Sequence, residues 1–182
     1  TGVTTFFIDD KIDTGEIILQ KEIEIDDNEI VGSLHDKLMY LGADLVNETV
    51  KLIQNDKVST YKQPELEEKS AYKLNPDNCK IDWCAPIDTI YNKIRGLNPF
   101  PAAWTTIYNN DEEIAAKIYA IQKEVIAHTD TIGSIISSKR TLKVAVQNGY
   151  IIIDEIKLAG KRKMDAKNLL NGYHFSEDSK ML

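Results

Sequence analysis

Among the 182 residues there are only two cysteines, Cys79 and Cys84, spaced C-x4-C with no second pair and no nearby histidine. That pattern fits neither a zinc knuckle nor a redox C-x-x-C motif, and it leaves two reduced, structural thiols. Histidine is also sparse: His35, His128 and His174 stand far apart, in no metal-ligand spacing, so we expect no metal. No apolar run approaches the roughly 18 residues of a membrane span, and the first residues form neither a basic segment nor an apolar leader. The expectation is a soluble cytoplasmic monomer with no membrane partner. Internal repeats and low-complexity tracts are missing as well.

What is present is the composition of an ordinary globular protein, 42% hydrophobic and 28% charged, with a net charge of −7. Its charge is unevenly placed. Residues 1–78 carry 8 Lys+Arg against 17 Asp+Glu, a net of −9, whereas residues 79–182 carry 14 against 12, a net of +2. The two parts therefore face different tasks. The chain begins at Thr1, without methionine and directly before a strand-like run, from which we expect a fragment of a longer protein.

Val3 to Ile8 and Ile17 to Ile25 are rich in β-forming residues and read as strands. Between Ile30 and Ile53, apolar residues Ile30, Leu34, Leu38, Leu41, Leu45, Val46, Val50 and Ile53 recur at helical intervals. Periodicity then stops until about Asn78, across a polar stretch containing Pro64, which reads as a linker. A short amphipathic helix follows from about Pro86, with Ile87, Ile90, Tyr91, Ile94 and Leu97 on one face. The remainder alternates between β-like runs and turns, five or so short strands that suggest a small barrel. Glu113 to Ile126 reads as strand because Ile114, Ala116, Ile118 and Ala120 alternate. A last helix is expected from an Asp165 N-cap to Gly172.

The densest feature is the acidic turn IDDKIDTGEI, residues 8–17, between the first two strands. By itself it reads as a solvated hairpin turn in which Asp13 makes an Asx-type bond to the backbone near Gly15. Cations cluster later: SSKRTLK supplies Lys139, Arg140 and Lys143, and KLAGKRK supplies Lys157, Lys161, Arg162 and Lys163. Clustered cations on turns are what phosphate-backbone binding needs, and also what a solvated charged edge looks like. In IYNKIRGLNPFP, Arg95 is expected to pair with Asp82 or to cap its helix, while Phe100 and Trp104 are expected in the core of the barrel or of the interdomain seam; Trp83 reads as a packing anchor.

Taken in order, TGVTTFFIDDKIDTGEIILQ, SLHDKLMYLGADLV, KIDWCAPIDTIYNKIRGLNPFPAAWT, and LAGKRKM followed by LLNG resemble the C-terminal part of methionyl-tRNA formyltransferase. DTG alone is a weak signal; IDW, IRGLNPFP and AGKRKM at these spacings form a strong one. The resemblance implies an α/β plus β fold. Residues 1–57 would be the C-terminal remnant of a Rossmann-like formyltransferase domain, 58–79 a linker, and 80–182 an OB-like β-barrel. It also implies formyl transfer from 10-formyltetrahydrofolate to the amino group of methionyl initiator tRNA.

The family's catalytic set is an asparagine, a histidine and an aspartate. The first two lie upstream of an HGSLLP-type motif that this chain does not contain, and Asp13, in its DTG string, matches the third. The resemblance further implies that Asp9, Asp10, Lys11 and Ile12 line the folate pocket, with Lys11 where the family commonly has glycine. It places Lys139, Arg140, Lys143, Lys157, Lys161, Arg162 and Lys163 against tRNA. A chain without the asparagine and histidine is expected to be inactive alone. Two alternatives stay open: a sugar-nucleotide formyltransferase of the same superfamily, and a non-catalytic nucleic-acid-binding barrel.

Overall fold

The computed structural model describes residues 1–10, 13–64 and 70–182. It divides into two compact units, Thr1–Tyr72 and Lys73–Leu182.

In the first unit, strands β1 (Gly2–Phe6) and β2 (Ile17–Glu22) pair antiparallel, with an irregularity at Thr5/Phe6, and helix α1 (Val31–Gln54) packs on both. Leu45 and Thr49 are the buried residues of α1, and Thr49 shares a 2.8 Å hydrogen bond with Thr5 of β1. Val46, Val50 and Ile53, part of the apolar stripe, are exposed in this unit. A Cβ at Gly42 would meet Val3 at 3.8 Å, an ordinary contact, so this glycine faces the sheet without being required by closeness.

Helix α1 has no side-chain N-cap. Instead Glu29, just before it, accepts from Ser33 at 3.1 Å and pairs with Lys37 at 2.8 Å. The Lys37 ammonium holds the Glu29 carboxyl below the usual carboxylate range. Beyond α1 the chain returns to β2, where Ile17 and Tyr61 exchange two backbone hydrogen bonds of 2.9 and 3.1 Å. Part of the segment read as linker is thus structured, and residues 65–69 of it lie outside the described residues.

The second unit opens with α2 (Pro76–Cys79), closed by reciprocal bonds between Asn75 and Asn78, and α3 (Ile87–Leu97). All five residues of the expected α3 stripe are buried. The strands are β3 (Ala103–Asn109), β4 (Glu112–Ile118), β5 (Ile121–Val125), β6 (Ile135–Ser137), β7 (Leu142–Val146), β8 (Gly149–Ile153), β9 (Glu155–Leu158), β10 (Met164–Asp165) and, after α4 (Ala166–Leu170), β11 (Lys180–Met181). Asp165 caps α4 by accepting from the Asn168 N–H at 2.7 Å, as expected from sequence.

These strands correct the barrel expectation. They form a five-stranded sheet, ordered β10-β9-β4-β3-β11, and a four-stranded sheet, ordered β5-β8-β7-β6, and the described residues show no closed barrel. The cause lies in a corner that alternation does not reveal. The Glu113–Ile126 run is strand, but it breaks at Tyr119–Ala120, where the chain leaves one sheet for the other. Between β8 and β9 the chain makes the same change at Asp154, and the two corners are tied by Tyr119 N–H to the Glu155 carbonyl at 3.0 Å and Asp154 N–H to the Ala120 carbonyl at 2.8 Å. Inner faces carrying Ile107, Ile118, Val144, Ile151 and Ile156 pack with α3 into one core. Trp83 belongs to that core, whereas Phe100, expected there, is 82% exposed at the turn between Pro99 and Pro101, and Trp104 is half-buried. Arg95 donates to Asn92 at 2.8 Å, and Asp82 accepts from the Cys84 N–H at 3.0 Å.

Candidate functional site

The acidic connection between β1 and β2 is fixed from several sides. Phe7 N–H donates to the Glu16 carbonyl at 3.1 Å, closing the base of the loop. Gly15 is buried there, and a Cβ on it would lie 1.5 Å from the Phe7 carbonyl oxygen. Glycine is required for close backbone approach rather than for a left-handed turn, since the positive φ falls on Asp13, at 55°. Aspartate tolerates that conformation better than most side chains.

The neighbours of Asp13 are committed to structure. Thr14 donates its hydroxyl to the Asp9 carboxylate, 2.8 and 2.9 Å from its two oxygens. Thr60 donates to Glu16. The Gln63 amide donates to the carbonyl oxygens of Asp13 and Gly15, at 2.8 and 3.0 Å. Among the described residues, no hydrogen bond or ion pair engages the exposed Asp13 carboxylate, so the Asx-type bond of the hairpin reading is not made. Asp10 is exposed beside it, and Lys11 and Ile12 lie outside the described residues. Sequence reasoning missed Gln63, because a side chain that holds backbone carbonyls far back in the chain carries no periodic signal. It missed equally that Ile8, at the mouth of the loop, is 91% exposed.

The cations of the second unit fall into two groups. Lys139 and Arg140 are exposed in the turn between β6 and β7, where Ser138 accepts from the Arg140 and Thr141 N–H groups at 3.3 and 3.1 Å. Lys143 is engaged: it pairs with Glu124 at 3.1 Å and lies 4.1 Å from the centre of the Tyr150 ring. Arg140 lines a groove of about 570 Å³ together with Lys167, Asn168 and Asp154.

The second group lies on and beyond β9. Lys163 pairs with Glu155 at 2.8 Å, and Lys161 sits over Tyr173. Lys157 and Arg162 are exposed and, among the described residues, form no ion pair. Gly160, with φ of 73°, supplies the left-handed residue of the turn that presents Lys161 and Arg162. No three His, Cys, Asp or Glu side chains converge on a metal-sized site among the described residues, and no helix among them is long and apolar enough to cross a membrane.

Comparison with known proteins places this arrangement. The formyl transferase family model matches residues 1–63, and the model for the formyl transferase C-terminal domain matches residues 73–174. The chain belongs to the formyltransferase family. Methionyl-tRNA formyltransferase of Flavobacterium psychrophilum is 51% identical over 178 residues, covering 97% of this chain and 56% of that protein. The Flavobacterium johnsoniae enzyme of the same name is 48% identical over 182 residues, 100% of this chain and 58% of that protein. This formyltransferase chain therefore spans little more than half the length of the curated relatives it matches.

Among solved structures, a variant of HypX from Aquifex aeolicus matches with a TM-score of 0.67 over 97% of this chain and 31% of that one, at 14% identity. An N-formyltransferase from Helicobacter canadensis, in complex with folinic acid and dTDP-3-aminofucose, matches with a TM-score of 0.60 over 90% of this chain and 55% of that one, at 23% identity. At such identities the likeness is one of fold.

Proposed function

We propose that the chain is the C-terminal part of a cytoplasmic, monomeric methionyl-tRNA formyltransferase. In this reading residues 1–57 complete the catalytic domain, 58–79 link it to the rest, and 80–182 bind tRNA. The observation that carries the reading is the state of Asp13. The residue that the family resemblance makes catalytic has its carboxylate unengaged, while the groups around it, Asp9, Glu16 and the carbonyls of Asp13 and Gly15, are used to hold the turn. Half identity to methionyl-tRNA formyltransferases along nearly the whole chain supports tRNA over a sugar nucleotide as acceptor.

The chemistry follows from the reaction. The methionyl amine attacks the formyl carbon of 10-formyltetrahydrofolate and loses a proton; the tetrahedral carbon's bond to the folate nitrogen then breaks as that nitrogen takes up a proton, releasing tetrahydrofolate. An amide donor stabilises the tetrahedral oxyanion, and a carboxylate beside an imidazole orients it for the proton transfer. Asp13 is that carboxylate, and the Gln63 bonds to its backbone carbonyl and to that of Gly15 serve it, because a misplaced catalytic group loses rate steeply. The loop from Asp9 to Ile12 borders the folate. Lys139, Arg140, Lys143, Lys157, Lys161, Arg162 and Lys163 serve the tRNA backbone, with Lys143 and Lys163 requiring exchange of their carboxylate partners for phosphate.

Two measurements test this. In the full-length parent, Asp13→Asn should slow the chemical step by about 100- to 10,000-fold at unchanged tRNA affinity; a matching loss of tRNA affinity would make Asp13 a structural residue. Salt-titrated binding of this chain to initiator tRNA should weaken with salt and with Lys161→Glu/Lys163→Glu. An interaction indifferent to both changes would refute the tRNA assignment.

A further inference from the structure

The outer face of the five-stranded sheet carries a row of residues of which the reading above uses only Lys157. Trp104 on β3 stands directly opposite Lys117 on β4, and Lys117 directly opposite Lys157 on β9. Residues opposed in an antiparallel ladder share a face with Cβ atoms about 5 Å apart, so two ammonium groups are neighbours here. Lys80 extends the row, bridging Trp104 through the backbone with its ammonium 5.5 Å from the indole centroid. Among the described residues, no carboxylate pairs with Lys80, Lys117 or Lys157. Lys117 donates to the Pro101 carbonyl at 2.9 Å, which leaves two of its three donors. Opposed like charges work against a sheet, and these are left uncompensated.

Beside the cations lies a flat apolar recess of about 240 Å³, walled by Trp104, Lys117 and Lys157 and floored by Ala115 and Ala159, which are exposed. Ala159 N–H donates to the Ala115 carbonyl at 2.8 Å, so the floor is regular sheet. The indole is fixed in place, because its Nε1–H donates to the Pro76 carbonyl at 2.7 Å. A held aromatic wall, a floor of methyl groups and unpaired ammonium groups in one row match a planar apolar ring joined to an anion. In a nucleic acid those are a base and its phosphates.

We propose that this face binds an unpaired nucleotide stretch of RNA, a base stacking in the Trp104 recess while Lys117 and Lys157 take the flanking phosphates; that the RNA is tRNA rests on the function proposed above. A paired helix does not fit, because its bases are stacked on each other and present no free face.

The test uses the 182-residue chain with single-stranded oligoadenylate, the same RNA paired with its complement, and heparin as a polyanion without bases. Tryptophan fluorescence reports directly, since Trp83 is buried and Trp104 borders the recess. We expect the single strand to quench fluorescence. Trp104→Leu should abolish the quenching and weaken binding roughly 5- to 150-fold at an unchanged salt slope. The exposed pair Lys117→Gln/Lys157→Gln should keep the quenching at saturation while lowering the salt slope by about 1.4. Should Trp104→Leu fail to fold, this second variant and the fluorescence of the unaltered chain still decide. Equal binding of duplex or heparin without a fluorescence change, or an unaltered salt slope in the double glutamine variant, would overturn the proposal. Initiator tRNA binding that ignores Trp104, Lys117 and Lys157 but is lost in Lys161→Glu/Lys163→Glu would overturn this site and leave the tRNA function standing. Oligoadenylate binding of the expected kind, with no initiator tRNA binding, would support this site and overturn that function.

Discussion

The side-chain amide of Gln63 holds the backbone carbonyls of Asp13 and Gly15 at once, at 2.8 and 3.0 Å. Gln63→Ala should therefore free the turn without touching the core. We expect a loss of about 1 kcal/mol, since an exposed hydrogen bond contributes little net. Faster amide exchange confined to residues 13–17 would accompany it. Hydrogen exchange of the chain checks this, and an unchanged pattern would mean that the loop's other bonds hold it without Gln63.

Two substitutions in the same turn should move stability in opposite directions. Gly15→Ala places a methyl group against the Phe7 carbonyl, only 1.5 Å away, so the backbone has to shift and stability falls by more than about 1 kcal/mol. Asp13→Gly relieves a residue held at φ 55° and should stabilise the fold by up to about 1 kcal/mol. On the function proposed above, a longer enzyme carrying that variant should be as inactive as one carrying Asp13→Asn. Urea unfolding with parallel activity assays separates the two effects.

A buried hydrogen-bond relay links Trp83, Thr105 and Leu182. The indole Nε1–H donates to the Thr105 hydroxyl at 2.9 Å, and that hydroxyl donates to the Leu182 carbonyl at 2.9 Å. Thr105→Val keeps the shape but strands the indole N–H, at a cost of about 1–3 kcal/mol. Thr105→Ser should recover most of it. If valine and serine unfold at the same denaturant concentration, the relay contributes nothing.

Tyr150 gives the fold an alkaline limit. Its hydroxyl donates to Asp130 at 2.7 Å, and that bond, then burial and the Asp130 charge, push its pKa from 10.0 up to about 12. The folded state holds this proton more tightly than the unfolded chain. The stabilisation is thus complete below pH 10 and is lost as pH rises from about 10 to 12. Phenolate absorbance should show Tyr150 ionising late, Tyr108 also being raised by its hydrogen bond to Asp111, and Asp130→Asn should bring Tyr150 back toward its ordinary value.

The two longer helices were legible because each has an apolar face, whereas α2 (Pro76–Cys79) was read as part of the linker. The α3 stripe of Ile87, Ile90, Tyr91, Ile94 and Leu97 is buried throughout. In α1 the same reading found the apolar face, yet Val46, Val50 and Ile53 are exposed, since periodicity shows which side is apolar and not what covers it. The sheet change at Tyr119–Ala120 was illegible for a related reason: inward and outward alternation continues through a corner while the pairing partner changes. At the acidic turn, the family strings drew attention to Asp13, whose catalytic role is the proposal made above. The support from Gln63 was hidden in a polar stretch, because a side-chain bond to a distant carbonyl imposes no constraint on neighbouring residues.

One consequence follows from how unevenly apolar burial is distributed. Among the described residues, the contiguous core runs entirely through the second unit, whereas the buried apolar side chains of the first are Ile17, Ile18 and Leu45, beneath a helix with much of its apolar stripe in water. Such a molecule does not melt as one object. Thr1–Tyr72 should lose its structure at a lower temperature than Lys73–Leu182, giving a calorimetric enthalpy larger than the van't Hoff value from either step. A single melting temperature read from helix content would describe α1 and say little about the sheets.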